Sequence, residues 1–214
     1  MTVHTYNEES LKIYQKLHSI EASLEGSTVF RLGGIDVDVE GKDGIGGLIE
    51  EWVGIWAIEQ GFDIKKATES QAFPDYFVGE NDALLEIKAF DYNASANFDI
   101  ANFESYCSSL AHTPSRLYSD YLIFGYQIIG HKISIKDIWL KKIWEITCPS
   151  ERWPLKTQTK RDVIYNIRPA SWYSSRSTYK AFNNPEAFVN ALYETQEMYT
   201  GRSDRQTYLN NIGS

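Results

Sequence analysis

The chain has 214 residues, of which 43% are hydrophobic and 23% are charged, as is usual for a globular protein with a buried core. Its longest apolar runs, such as residues 121–124, are far shorter than the ~20 residues of a membrane span, and its N-terminus lacks a signal pattern. Two cysteines are too few for a disulfide scaffold or a cysteine-rich zinc site. We therefore expect one domain over residues 1–214, without a membrane segment and located in the cytoplasm.

The charge is distributed unevenly along the chain. The formal net charge is −8, but residues 1–106 carry −13 whereas residues 151–180 carry +5. A change of sign between segments can mark a surface that binds a polyanion. A solvated basic loop is the alternative, and the charge pattern alone does not decide between the two.

The first quarter of the chain predicts two helices around a glycine-rich segment. Apolar residues at helical spacing predict a helix over 7–24, and alternation over 35–40 predicts a strand or one arm of a hairpin. Residues 46–60 predict a second helix, which Gly61 ends. The apolar residues that we place on one packing face of this helix are Leu48, Ile49, Trp52, Val53, Trp56 and Ala57.

The rest of the chain predicts a sheet with further helices. Residues 71–91 contain two apolar runs around a turn over 79–82, which is a hairpin pattern. The other predicted elements are, in chain order, a short strand from 62, a helix over 99–113, a strand over 118–130, strand or helix segments over 133–146, a loop-rich stretch over 148–180 and a helix over 185–199. This order indicates an α/β or α+β fold, a mixed β-sheet flanked by helices.

The predicted hairpin brings three charged side chains together. When it folds about the middle of its turn, Asp75 opposes Glu86 on the neighbouring strand, and directly opposed residues project to the same side. Lys88 shares that face, because residues two apart on a strand point the same way. Leu85 and Ile87 then point to the opposite face, into a core.

This cluster has the composition of a phosphodiester-hydrolysing site. Two carboxylates at this distance repel each other unless a proton or a cation lies between them. Mg²⁺ fits, since it takes oxygen ligands and often only one or two carboxylates. A neighbouring lysine can orient a water or help to deprotonate it, and a metal with a lysine can stabilise the charge that develops on phosphorus. The alternative is an exposed strand edge whose charged side chains are merely solvated.

Pro74-Asp75, a short gap and Glu86-Ile87-Lys88 on an apolar strand resemble the motif of the PD-(D/E)xK nucleases. The small type II restriction endonucleases of this superfamily match the chain in size. The resemblance covers residues 46–90 and implies a restriction-endonuclease-like fold. It also implies that Asp75 and Glu86 are metal ligands, that the carbonyl of Ile87 is a third ligand, and that Lys88 activates the attacking water.

Many members of this superfamily also carry a glutamate on the helix before the hairpin. Here the matching position is Glu50, 11 residues before Gly61, with Glu51 as the alternative. Two further segments fit (D/E)xK, residues 40–42 and 63–65. The first lies in a glycine-rich stretch without a hairpin partner, and the second lacks an upstream Pro-Asp, so we prefer the motif at Glu86.

The basic, aromatic stretch near the C-terminus is the expected DNA-recognition region, over residues 148–184. Lysine and arginine hold phosphates, and arginine, asparagine and glutamine can read base edges in the major groove. The candidate DNA-binding residues are Lys160, Arg161, Arg168, Ser171, Trp172, Ser174, Arg176 and Lys180.

The resemblance implies a Mg²⁺-dependent, site-specific endonuclease of double-stranded DNA that leaves 5′-phosphate and 3′-hydroxyl ends. A palindromic target requires a homodimer, because each subunit has one site and one strand to cut. We expect the N-terminal helix or the glycine-rich strands to form it. A site-specific cutter also needs a DNA methyltransferase that protects the host genome. The alternatives are a structure-specific repair or recombination nuclease and a non-catalytic nucleic-acid-binding protein.

Overall fold

The computed structural model describes residues 5–67 and 73–212 and has a mixed α+β fold. The helices of these ranges are α1 (Glu8–Ile20), α2 (Ile45–Glu59), α3 (Phe103–His112), α4 (Pro185–Thr200) and α5 (Arg205–Asn211). The strands are β1 (Glu25–Ser27), β2 (Val29–Leu32), β3 (Ile35–Asp38), β4 (Ile64–Lys66), β5 (Tyr76–Val78), β6 (Ala83–Asp91), β7 (Ala101–Asn102), β8 (Asp120–Ile129), β9 (Lys132–Lys141), β10 (Thr157–Lys160) and β11 (Val163–Ile167). Within the described ranges, no helix has the length and apolarity to cross a membrane.

The described chain divides into two compact units. Unit 1 comprises the residues up to 95 together with 120–141, and unit 2 comprises 96–119 together with the residues from 142 onward. The expectation that residues 1–214 form one domain stays a prediction.

Unit 1 is built on a six-stranded mixed sheet in the order β1-β9-β8-β6-β5-β4. Strands β6 and β8 are parallel, and the other neighbours are antiparallel. Helix α1 packs against β8 and β9, and α2 packs against β4 and β6. The core beneath them includes Ile13 and Leu17 of α1 and Leu122 and Phe124 of β8. A mixed sheet flanked by helices is therefore confirmed.

The hairpin of β5 and β6 has the predicted register. Tyr76 pairs with Leu85 and Val78 pairs with Ala83. The loop between the strands is the four-residue turn over 79–82, in which the N–H of Asp82 donates to the carbonyl oxygen of Gly79 at 3.1 Å. Leu85 and Ile87 are buried in the core, as expected from their alternation with Glu86.

Helix α2 is buried on only part of the face that the sequence predicts. Ile49, Val53 and Ala57 join the core, but Leu48 and Trp52 are exposed, so the prediction is wrong for these two. Trp56 is half-buried and stacks on Trp52 with their ring centroids 5.8 Å apart. The helix is apolar on more than one side, and hydrophobicity alone therefore does not tell which side meets the sheet.

Unit 2 consists of α3, α4, α5 and the three-stranded sheet β10-β11-β7. Its buried aromatic side chains include Phe103 and Tyr106 of α3 and Phe188 and Tyr193 of α4. The rings of Tyr106 and Phe188 meet edge to face at 6.1 Å.

Several element boundaries differ from the predicted ones. The stretch 148–180, predicted as loop, contains the hairpin of β10 and β11. Its two-residue turn is formed by Arg161 and Asp162, with φ of 49° and 64°. Such turns usually contain glycine or asparagine, and neither marks this one. In addition, α1 ends at Ile20, β9 is one continuous strand, and α5 has no counterpart in the prediction.

Helix α2 comes close to Tyr76 of β5 at Gly54. The Tyr76 hydroxyl donates to the carbonyl oxygen of Glu50 at 2.9 Å. A Cβ atom on residue 54 would lie 2.3 Å from that same hydroxyl oxygen. The absence of a side chain at Gly54 therefore permits the contact between the helix and the strand.

We expect Gly54→Ala to lower the free energy of unfolding by about 1–3 kcal/mol, because the added methyl group displaces Tyr76. Gly47→Ala in the same helix is the matched control. No atom lies within 4 Å of its new Cβ, so this variant should be more stable by about 0.5–1 kcal/mol. Urea denaturation measures both values. Equal stability of the two variants would show that Tyr76 moves aside without cost.

Candidate active site

The opposed carboxylates of the β5–β6 hairpin are held by reciprocal hydrogen bonds from the backbone. Asp75 directly precedes β5, and its own N–H donates to Glu86 Oε2 at 3.3 Å. The N–H of Ile87 in turn donates to Asp75 Oδ2 at 2.7 Å. Lys88 completes the group, because its Nζ lies 2.7 Å from Glu86 Oε1. The structure therefore brings Asp75, Glu86 and Lys88 together, as the hairpin register predicts.

Burial changes the protonation of this group. The Glu86 side chain is only 8% exposed, and its burial raises its pKa to about 7. The positive charge of Lys88 opposes this shift, and the negative charge of Asp75 adds to it. Burial likewise raises the pKa of Asp75, against the positive charge of Lys88. Near neutral pH the metal-free pair therefore tends to keep a proton.

Lys88 stays positively charged in this environment. Burial alone would lower its pKa, but the hydrogen bond to Glu86 and the negative charges of Glu86, Asp75 and Glu50 together outweigh burial, and the pKa of Lys88 is raised. Its side chain is only 20% exposed, and the ion pair with Glu86 holds the ammonium group beside the carboxylates.

Helix α2 places Glu50, rather than Glu51, within electrostatic reach of this group. Glu50 is half-buried, and its pKa is raised first by burial and then by the negative charge of Asp75. Glu51 is exposed and forms an ion pair with Lys66 of β4. Of the two alternatives that the sequence leaves open, the geometry favours Glu50.

Two further residues shape the site and were not predicted. Lys66 lies on β4 opposite Tyr76, and its charge lowers the pKa values of both Glu50 and Asp75. Tyr76 itself fixes the main chain of α2 at Glu50. Lys66 directly follows the rejected motif over 63–65, and only the pairing of β4 with β5 reveals its proximity.

The two other segments that fit (D/E)xK make contacts elsewhere. Lys42 forms an ion pair with Asp91, at the end of β6. Lys65 pairs with Asp82 at 3.3 Å, and the N–H of Asp63 donates to Glu9.

The donor atoms of the hairpin fit a hard divalent cation. Asp75 and Glu86 offer carboxylate oxygens at one point, and burial raises the pKa of each, so that a nearby cation would favour their charged forms. Across residues 5–67 and 73–212, no group of three or more His, Cys, Asp or Glu side chains has a metal-binding arrangement. The predicted set of two carboxylates with the Ile87 carbonyl therefore depends on a main-chain oxygen for its third ligand.

The first three candidate DNA-binding residues lie on or beside the β10–β11 hairpin of unit 2. Lys160 ends β10, Arg161 lies in the turn, and both are exposed. Arg168 follows β11 and is half-buried, with Nη1 3.0 Å from Asp99 Oδ1. Lys160 and Arg161 are therefore accessible cations, whereas Arg168 is already paired.

The other five candidates lie in the irregular segment between β11 and α4. Arg176 and Lys180 are exposed, and Ser171, Trp172 and Ser174 are half-buried. A role of any of these residues in DNA contact stays a prediction.

Comparison with known proteins assigns the chain to a family. The sequence profile of the family described as NgoBV restriction endonuclease matches residues 7–212. The chain belongs to this family. Type II restriction enzyme NlaIV of Neisseria lactamica is 40% identical over 191 residues, which cover 86% of this chain and 79% of that protein. Type II restriction enzyme NgoBV of Neisseria gonorrhoeae is 35% identical over 159 residues, which cover 70% and 89%.

A comparison with solved structures agrees with membership in the NgoBV restriction endonuclease family. The structure of NlaIV restriction endonuclease matches this chain with a TM-score of 0.84 and 36% sequence identity, and the match covers 93% of this chain and 86% of that one. The predicted fold class and the predicted enzyme class, a type II site-specific deoxyribonuclease, are thereby confirmed. A restriction endonuclease uses a divalent metal ion, in keeping with the donor atoms of the hairpin.

Two substitutions should shift the pKa of Glu86 in opposite directions. Lys88→Met removes the positive charge that lowers it, so we expect Glu86 to titrate above about 7. Asp75→Asn removes a negative charge that raises it, so the pKa should fall. Carbon-13 NMR of glutamate carboxyl carbons in metal-free buffer measures both shifts. A parent pKa near the ordinary value of 4.5 would contradict the burial of this side chain.

Proposed function

We propose that this restriction endonuclease depends on Mg²⁺ and cleaves double-stranded DNA to 5′-phosphate and 3′-hydroxyl ends, with Asp75, Glu86 and Lys88 as its catalytic group. The observation that carries the proposal is the pair of reciprocal hydrogen bonds. Together with the contact of Lys88 with Glu86, they hold two carboxylates and one ammonium group at one end of the β5–β6 hairpin. Phosphodiester hydrolysis needs a cation, a positioned water and compensation of charge on phosphorus, and this group can provide for each.

Asp75, Glu86 and the main-chain carbonyl of Ile87 would hold the ion. When bound, Mg²⁺ supplies a Lewis acid that polarises the phosphate and acidifies water. Glu86 is held for this role by Lys88 on one oxygen and by the N–H of Asp75 on the other. The ligand geometry is thus prepared by the hairpin before any ion binds.

Lys88 would act on the water and on the phosphate. Because its pKa is raised, the ammonium group keeps its proton, which favours orienting the water and stabilising negative charge over removing the water's proton. Glu50 on α2 adds a negative charge that faces Asp75 and is the proposed helix carboxylate of the site.

The partners follow from the reaction. Residues 148–184 would hold the duplex, with Lys160, Arg161, Arg176 and Lys180 as exposed cations for its phosphates. Two copies of the chain would provide one site for each strand. The proposal also includes a DNA methyltransferase that modifies the same DNA sequence. We further propose that the enzyme acts in the cytoplasm.

We expect Glu86→Ala to lower the cleavage rate at least ~1,000-fold, about 4 kcal/mol of transition-state stabilisation, because a metal ligand is lost. DNA binding in Ca²⁺ should remain. The assay is digestion of a DNA of known sequence with Mg²⁺, followed by end mapping. Discrete fragments that a DNA ligase joins without treatment carry 5′-phosphate and 3′-hydroxyl ends. Cleavage by Glu86→Ala at the parent rate would overturn the site assignment.

The adjacent glutamates of α2 supply a matched control for that experiment. Glu50→Ala should also lose cleavage, because it removes a charge that faces Asp75. Glu51→Ala changes the same residue type one position on, where the side chain is exposed and paired with Lys66. That variant should cut at close to the parent rate.

The affinity for Mg²⁺ should fall as the pH is lowered below about 7. Burial raises the pKa of Glu86 to about 7, and this group must lose its proton to bind the ion. Each pH unit below that value should therefore weaken binding about tenfold, whereas above it the affinity levels off. Titration calorimetry on metal-free protein measures this dependence. An affinity that stays constant from about pH 5 to 7 would exclude Glu86 as a ligand.

A further inference from the structure

A second lysine approaches the proposed catalytic group from strand β4. Lys66 is the last residue of β4 and pairs with Tyr76, and the N–H of the next residue, Ala67, donates to the carbonyl oxygen of Asp75 at 3.0 Å. Neighbouring strands lie about 4.8 Å apart. The main chain at Lys66 is therefore held one strand away from Asp75.

The side chain of Lys66 extends to helix α2. Its Nζ forms an ion pair with the carboxylate of Glu51, the residue after Glu50. Burial raises the pKa values of Glu50 and Asp75, and the positive charge of Lys66 opposes the rise in both. The ammonium group is thus within electrostatic reach of the carboxylate on the helix and of one on the hairpin.

Lys66 differs from Lys88 in its access to solvent. The side chain of Lys88 is 20% exposed, with its Nζ held 2.7 Å from Glu86 Oε1, whereas that of Lys66 is 48% exposed. A lysine ammonium group has three N–H donors. Lys66 can therefore donate to an oxygen atom of a ligand that arrives from solvent while it stays paired with Glu51.

The charge of the surroundings indicates which ligand needs this lysine. Glu50, Asp75 and Glu86 make the site acidic, and residues 1–106 carry a net charge of −13. A DNA backbone is repelled by such a site unless cations meet its phosphates. In the part of the chain that the structure describes, the lysines whose charge acts on both Glu50 and Asp75 are Lys66 and Lys88. Lys66 is the more exposed of the two, so an approaching strand can contact it.

We propose that Lys66 binds a backbone phosphate of the cleaved DNA strand, next to the phosphate at which hydrolysis occurs. This inference rests on the proposed function, which assigns hydrolysis to Asp75, Glu86 and Lys88. Lys66 starts one strand away from those carboxylates and therefore suits a neighbouring phosphate, whereas Lys88 suits the reacting one. Phosphate contacts set the register of a strand without reading its sequence. Lys66 is thus a substrate-binding residue that lies outside the catalytic motif.

The ion pair with Glu51 supplies the rival explanation, in which Lys66 only ties β4 to α2. In that case the loss of either partner removes the same contact, so both variants should behave alike. A phosphate-binding lysine predicts opposite effects instead. Lys66→Gln removes an attraction for DNA, whereas Glu51→Gln removes a neighbouring repulsion.

The test measures the affinity of the full chain for a labelled duplex that spans a mapped cleavage site. Fluorescence anisotropy records binding in saturating Ca²⁺ at about pH 8, where Glu86, with its pKa of about 7, is charged. Lys66→Gln should weaken binding about tenfold. It should also reduce the slope of log affinity against log salt concentration by about 0.9 for each lysine engaged. Glu51→Gln should strengthen binding about two- to fivefold.

A neutral linkage in the DNA tests the position of the contact. A methylphosphonate replaces each of the two phosphates that flank the cleaved one, in turn. At one of these positions the parent protein should lose about tenfold in affinity, whereas Lys66→Gln should lose almost nothing more, because both changes remove the same contact.

The adjacent lysine of β4 is the matched control. Lys65 points to the other side of the strand and pairs with Asp82 in the hairpin turn at 3.3 Å. Lys65→Gln should keep the affinity and the salt slope of the parent protein. Lys66→Arg retains the charge and should keep the parent slope, and circular dichroism checks that every variant is folded.

Four results would each overturn the inference. These are a parent salt slope in Lys66→Gln, changes of the same direction in Lys66→Gln and Glu51→Gln, an equal loss in Lys65→Gln, and equal losses of the parent and Lys66→Gln with both methylphosphonates. Binding in Ca²⁺ requires no cleavage. If Glu86→Ala cuts at the parent rate, the catalytic assignment fails while these binding results stand, and failure of the binding tests leaves that assignment intact.

Discussion

The register of β5 against β6 is the constraint on which both the core and the catalytic group depend. The reciprocal hydrogen bonds between Asp75 and the Glu86–Ile87 segment form only when Tyr76 faces Leu85. A slip of one residue would turn Glu86 into the core and Ile87 to solvent. Burial of the apolar side chains therefore fixes the charged ones, and the four-residue turn sets both at once.

This arrangement concentrates negative charge where burial makes it costly. Burial raises the pKa values of Glu86 and Asp75, whereas Lys88 and the backbone amides compensate only in part. A deficit of positive charge of this kind favours the binding of a hard cation, in keeping with the proposed metal site. The protein thus gives up stability in the metal-free state at the site that we propose for hydrolysis.

Local patterns predict the parts of the molecule that depend on neighbouring residues. Alternation along β6 and the turn before it suffice to place Asp75, Glu86 and Lys88 together. Local patterns do not predict the position of Lys66, because its proximity to Asp75 and Glu50 depends on the pairing of β4 with β5. The buried side of α2 is equally undetermined, since apolar residues lie on several of its sides. The β10–β11 hairpin could not be predicted, because its turn contains neither glycine nor asparagine.

Helix α2 connects these observations, because its different sides have different tasks. One side packs on the sheet through Ile49 and Val53, and another leaves Leu48, Trp52 and Ile55 exposed. Glu50 is the proposed helix carboxylate of the site, and its carbonyl oxygen accepts the hydrogen bond of Tyr76, on the strand that Asp75 precedes. This hydrogen bond therefore ties the helix to the strand at the position from which the charge of Glu50 acts on Asp75. The packing of Ile49 and Val53 on the sheet thus also holds the proposed carboxylate of α2 within electrostatic reach of Asp75.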